Sequence, residues 1–178
     1  MVFVVVATRF LLGAVFAISA VEKIRDRRAV RRFVIATVGP DRAIGPSIVG
    51  VILGEAAAAA LLFSPAAWRW DVPAGFALAL VLLGAFSVVL VRALRRDVRV
   101  PCGCFGASSG PPNAGHLLRN GVLAAAAAIG LIGSAGGATA PLSPSSVAVG
   151  LLGTAAAFVV VRLDEFKTLF VKRIQGYE

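Results

Sequence analysis

Two cysteines and one histidine are all the thiol and imidazole side chains in this chain of 178 residues. Two cysteines exclude a disulfide-rich secreted scaffold. Both lie in "PCGCFG", Pro101 to Gly106, and a bond between them would close too small a loop to remove much unfolded-state entropy. Stapling is therefore not their purpose. The sequence also lacks a catalytic carboxylate pair, a hydrolase triad, a phosphate-cradling glycine loop and a dinucleotide fingerprint. No repeat of about 20–50 residues is present, so a solenoid is excluded. A basic segment ahead of the first apolar run is missing too. The charges follow that run, which is expected to be an uncleaved membrane helix despite the small residues of "FAISA".

What the chain has in abundance is apolar length. Hydrophobic residues make up 58% of it and its mean hydropathy is +0.89, well above the roughly 45–50% apolar content of soluble domains. The lipid bilayer is its expected surroundings. A net charge of +9 would suggest nucleic acid in a soluble protein, but these arginines fall between long apolar runs, as loop anchors do, and no nucleic-acid partner is expected. Five apolar segments stand out: Met1–Ala20, Ile44–Phe63, Val72–Val91, Leu117–Ile132 and Val147–Val161. The first three approach the ~20 residues needed to span a bilayer, and the last two are short. The expected fold is an all-α membrane bundle, with four transmembrane helices in residues 1–133, then a fifth helix and an amphipathic tail in 134–178. The tail "RLDEFKTLFVKRIQGYE" places Phe166, Leu169, Phe170 and Ile174 at helical spacing among charges.

The basic residues set the expected orientation. Sixteen of the eighteen Lys and Arg fall in the first connection, the third connection with Arg119, and the tail; Arg69 is on the opposite side and Arg9 is inside the first segment. The positive-inside rule then puts the N-terminus outside, with the C-terminus and the cysteine loop at the cytoplasmic face. Trp68 and Trp70 would sit at the outer headgroup level. Small residues four apart (Gly13 and Ala17, Gly50 and Gly54, Gly75 and Ala79, Gly121 and Ala125, Gly153 and Ala157) favour close helix approach.

Two charges are buried in apolar sequence. Arg9 lies eleven residues before Ala20 and Glu55 eleven after Ile44, so in antiparallel helices both fall about 16 Å from the cytoplasmic interface. An unpaired charge there is costly. The expectation is an Arg9–Glu55 pair that either fixes helix register or lines a polar path for a head group or a proton. The thiols have three readings. Cys102 and Cys104 are two small apolar loop residues, or they join His116 in a metal site, although C-x-C-x11-H lacks a fourth ligand. Or they are a redox pair, in which Gly103 and Gly106 supply the turns and Arg95, Arg96 and Arg99 favour a thiolate.

These elements come in a telling order. "RFLLGAVFAISAVEK" with Arg9, Gly13, Ser19 and Lys23, "LGEAAAAALL" with Glu55, "CGCFG", and "LLRNGVL" with Arg119 and Asn120 together resemble the methylamine-utilisation protein MauE family, within the DoxX-like membrane families, over residues 1–133. The resemblance implies a DoxX-like helical bundle in the bacterial inner membrane. It further implies a role in thiol-disulfide or quinone-linked redox processes, since MauE is associated with maturation of a disulfide-rich periplasmic dehydrogenase. By that carry-over Cys102 and Cys104 are the redox residues, with Gly103, Phe105, Gly106, Arg119 and Asn120 as further motif positions. A quinone is the one cofactor it suggests, and a thioredoxin-like protein is the implied partner. A non-catalytic assembly protein with incidental thiols is the alternative. A partner of periplasmic chemistry should show its thiols outside, whereas the charge count puts them inside. Either the loop dips into the bundle, or reducing equivalents are relayed from the cytoplasm, or the redox role does not hold.

Overall fold

The computed structural model describes residues 1–40, 44–64, 70–100, 112–136 and 147–159. All regular structure among them is helical: α1 Val2–Arg25, α2 Arg27–Val38, α3 Ile44–Phe63, α4 Asp71–Arg95, α5 Ala114–Ala135 and the shorter α6 Val147–Val159. Helices α1, α3, α4 and α5 are long and apolar enough to cross a membrane. The expected four-helix transmembrane bundle with a shorter fifth apolar helix is thus the observed architecture. Pro101–Gly106, Trp68 and the tail after Val159 lie outside the described residues.

Bilayer, not water, is the solvent this surface suits. Leu53, Val81, Leu118, Val122, Ile132 and Leu152 are each more than 60% exposed, which in water would be a large apolar patch. Inside, Leu12, Phe16, Ala58, Leu62, Phe76, Ala79, Leu83 and Ala127 form one core shared by α1, α3, α4 and α5.

Close packing rests on some of the expected small residues and not on others. A Cβ on Gly75 would sit 3.0 Å from Leu62, and one on Gly153 only 2.6 Å from the Ala7 carbonyl oxygen. Gly50 and Gly121 face open space. The tightest crossing uses Gly130 and Gly133 of α5, where a Cβ would run into Phe76 and Val5 respectively. Gly153, beside the buried Ala157, docks α6 against α1.

The first connection differs from its expected form. "EKIRDRRAVRR" is not a loop: α1 continues to Arg25, and α2 begins after the single residue Asp26. Asp26 serves both helices. Its N–H donates to the Glu22 carbonyl, 2.9 Å, closing α1, while its carboxylate accepts from Ala29 N–H, 2.9 Å, capping α2. Helix α2 is amphipathic: Val30, Phe33 and Thr37 are buried and Arg27, Arg28, Arg31 and Arg32 stay at its other face. Gly39, at φ +104°, ends it in a conformation that suits glycine.

Arginines and lysines gather where α1 and α4 end, with Lys23 and Arg25 in the last turn of α1 and Arg92 and Arg95 in that of α4. This is called the basic end below. Arg96 ties it together by donating to the Thr37 carbonyl of α2, 2.7 Å. Val98 and Val100 pack there with Phe33, Leu90 and Leu117, bringing the chain leaving α4 beside the first turns of α5.

Candidate functional site

Ser19 and Lys23 are one helical turn apart, so both point from the same face of α1. That face meets α3 at Glu55, which is 0% exposed. Lys23 Nζ lies 2.6 Å from Glu55 Oε1 and 2.6 Å from Ser19 Oγ. Ser19 Oγ donates in turn to the same carboxylate oxygen, 2.8 Å. The three side chains form a closed triangle of charge-assisted bonds. Lys23 is only 3% exposed. Its long stem leans back along α1 from near the helix end, carrying the ammonium to the depth of Glu55. The ammonium also stands 5.0 Å from the centroid of the Phe86 ring of α4, within cation–π range.

The expected Arg9–Glu55 pair is therefore corrected. Glu55 is held by Lys23 and Ser19, and Arg9 points the other way, donating from Nε to the Leu62 carbonyl and from Nη2 to the Ser64 carbonyl. Those carbonyls end α3, where a helix leaves its last acceptors without partners and carries partial negative charge. Arg9 caps α3 as a cation should. Ser64 Oγ donates to Asp71 Oδ2, 3.0 Å, joining this cap to the start of α4. Phe10 packs edge-on against Phe63 with centroids 5.7 Å apart, flanking the same corner. The depth count treated both charges as points on their helix axes; arginine and lysine reach several ångströms along the helix, and that reach chose the partners.

Lys23 was visible in the sequence as a basic residue of the connection, four after a serine. The missing signal was that α1 does not stop at Ala20. A Ser-x-x-x-Lys spacing facing a buried Glu is the pattern that could have found it.

Of the remaining sequence-predicted positions, His116, Arg119 and Asn120 lie in the first two turns of α5, at the basic end. His116 and Asn120 are buried on α5, 3% exposed each. Asn113 caps that helix, its Oδ1 accepting from Gly115 N–H at 2.8 Å and from His116 N–H at 3.3 Å. Two buried acceptors, Glu55 Oε2 and Asn120 Oδ1, have no hydrogen-bond partner among the described residues. A buried acceptor left so is costly, and such atoms are where a substrate or a water can be received. Cys102, Gly103, Cys104, Phe105 and Gly106, and with them the cysteine ligands of the metal set with His116, lie outside the described residues.

A groove opens beside the triangle. Its volume is about 290 Å³, and Lys23, Val30, Phe33, Ser47, Phe86 and Val89 are among the side chains of α1, α2, α3 and α4 that line it. Chemically, the basic end offers a buried ion pair that can hold or pass a proton, an apolar recess next to it, and the two helix ends from which the cysteine-bearing segment departs.

No curated protein and no solved structure matches the chain. The family model described as methylamine utilisation protein MauE matches residues 1–133, which hold Arg9, Ser19, Lys23, Glu55, both cysteines, Arg119 and Asn120. With that match over most of its length, the chain belongs to the MauE family.

Proposed function

We propose that this protein is a membrane accessory factor of redox-protein maturation, passing an electron pair by thiol-disulfide exchange through Cys102 and Cys104. The observation that carries this reading is topological. Helix α4 ends and α5 begins at the basic end, where Lys23 leaves the last turn of α1 to reach Glu55 and where His116 and Asn120 lie buried in the first two turns of α5, and the sequence between those helices contains both thiols. In the exchange, a thiolate of the pair attacks a partner disulfide, and the second thiol resolves the mixed disulfide. The pair loses two electrons and two protons in becoming a disulfide, and the partner gains them as a dithiol. A thioredoxin-like soluble protein suits this step, and the family's description points to methylamine utilisation as the process served.

The same reading sets the protein in a bacterial inner membrane with its basic end toward the cytoplasm, from the positive-inside rule. The test is trapping in cells. Cys104→Ser should accumulate a mixed disulfide through Cys102 that thiol reductant releases, and Cys102→Ser/Cys104→Ser should not. If Cys104→Ser traps no protein, the exchange role is lost and the non-catalytic assembly reading takes its place.

A further inference from the structure

Helix α2 carries two electrostatic loads that no described residue offsets. Arg27 and Arg28 stand in its first turn, which has no acidic residue and where the helix dipole disfavours cations. Arg27 with Arg31, and Arg28 with Arg32, are like charges at i and i+4, which repel. All four are exposed, and none forms an ion pair or a side-chain hydrogen bond with a described residue. The acids just before them, Glu22 and Asp26, do not pair with them, and Asp26 Oδ1 accepts from the Ala29 N–H at 2.9 Å. Arg28, Arg31 and Arg32 instead line, with Asp26 and Ile35, an open recess of about 560 Å³, a size within the range of ligand sites.

The same helix changes character along one stripe. Arg27, Arg31, Val34 and Val38 follow one another at i, i+4, i+7 and i+11, so cations give way to apolar side chains on a single face. Val34 and Val38 belong to the wall of the groove of about 290 Å³, which continues past α2 along Ile48 and Val51 of α3 and along Val89 and Leu82 of α4. From Val89 back to Leu82 is seven residues toward the middle of α4, a descent of about 10 Å. Lys23 in its wall is engaged by Glu55 and Ser19, so the groove is an apolar channel without a charge to offer. With 12 residues, α2 is too short to cross a bilayer. It packs through Phe33 against Leu90 and Ala93 in the last turns of α4, which sets its arginines at the end of the spans, where lipid head groups lie.

From this arrangement we infer that α2 holds an anionic phospholipid, its phosphate between Arg27 and Arg31 at the edge of the recess and one acyl chain running past Val34 and Val38 into the groove. Charge selects the head. A zwitterionic head brings its own ammonium against four arginines, whereas an anionic one relieves the like-charge pairs and the first-turn cations together. Guanidinium forks also match phosphate oxygens bidentately. Shape selects a lipid over a soluble phosphate, which would serve the arginines and leave the groove unused; a lipid places its head at the surface and its chain inward, as the stripe and groove run. Thiol exchange plays no part in this site.

The experiment titrates the purified, delipidated full chain in dodecyl maltoside with tritiated dioleoylphosphatidylglycerol and reads equilibrium binding. Wild type should bind it saturably, at least tenfold tighter than dioleoylphosphatidylcholine. Arg27→Gln/Arg31→Gln should weaken phosphatidylglycerol at least tenfold and leave phosphatidylcholine unchanged. It should also keep or raise the thermal transition of the lipid-free protein, because it removes a repelling pair; a merely structural role would lower that transition. Val38→Trp, at a position 52% exposed on the groove rim, should weaken both lipids. Arg25→Gln/Arg95→Gln removes as many charges elsewhere at the basic end and should change affinity less than threefold. Absence of saturable binding by wild type, or equal affinity for the two lipids, overturns the assignment. So does an equal loss in Arg25→Gln/Arg95→Gln, which would reduce the attraction to diffuse charge. Inorganic phosphate competing as well as the lipid would make this a soluble-anion site, and unchanged binding by Val38→Trp would remove the chain from the groove; either result overturns it too.

Discussion

Lys23 Nζ and Glu55 Oε1 meet at 2.6 Å across the contact between α1 and α3, with the carboxylate wholly buried. Removing one partner leaves the other as an unpaired charge, a loss of about 3–5 kcal/mol for buried pairs. Lys23→Met and Glu55→Leu should each lower the thermal transition of the purified protein markedly. The double variant Lys23→Met/Glu55→Leu should recover much of the loss. A double variant no better than the worse single one would show that the pair does not hold the bundle.

Arg9 and Glu55 should behave as strangers. Arg9 serves the carbonyls of Leu62 and Ser64, and hydrogen bonds to a charged group are worth about 1.5–3 kcal/mol. Arg9→Leu should destabilise by an amount of that order, with Arg9→Lys milder because one donor remains to reach the helix end. Combined with Glu55→Leu, the effects should add within about 0.5 kcal/mol, as for independent sites. Strong coupling in that cycle would restore the pairing that the depth argument suggests.

How far the sequence alone reaches can be judged from these residues. The membrane helices were legible because apolar length and the clustering of arginines need no tertiary information. Helix α2 was not, since its arginines outweigh Val30, Phe33 and Thr37 in any reading that looks for loops between spans. The polar cluster was half legible. Ser19, Lys23 and Glu55 stood among the motif residues, but choosing between Arg9 and Lys23 as the partner of Glu55 required knowing where α1 ends and which way two long side chains lean. Glycines at spacing four identified Gly75 and Gly153 as contact points, and missed Gly130 and Gly133, which are three apart and meet Phe76 and Val5.

Gly130 offers a packing test. A Cβ there collides with the Phe76 ring, and Phe76 is fully buried. Gly130→Val should cost about 1–3 kcal/mol, as overpacked cores do. Phe76→Leu on top of it should return part of the stability by clearing the space. Gly121→Val, facing open space on the same helix, should be nearly silent.

The two thiols carry a topological prediction. If the basic end faces the cytoplasm, as the positive-inside rule proposes, a membrane-impermeant maleimide should leave Cys102 and Cys104 unlabelled in intact cells and label them after permeabilisation and reduction. Ready labelling from outside would reverse the orientation. Thiols that stay unreactive in both settings, and form no bond under mild oxidant, would remove the exchange role.

The closed Lys23–Glu55 contact also decides how this site feels the membrane potential. A lone ammonium crossing the full field experiences about 2.3 kcal/mol per 100 mV. Opposite charges 2.6 Å apart carry no net charge and span less than a tenth of a hydrocarbon core about 30 Å thick, so the field acts on them with at most about 0.2 kcal/mol per 100 mV. The triangle should therefore keep one geometry in energised and de-energised cells, and the α1–α3 contact it closes should hold the same register at any voltage.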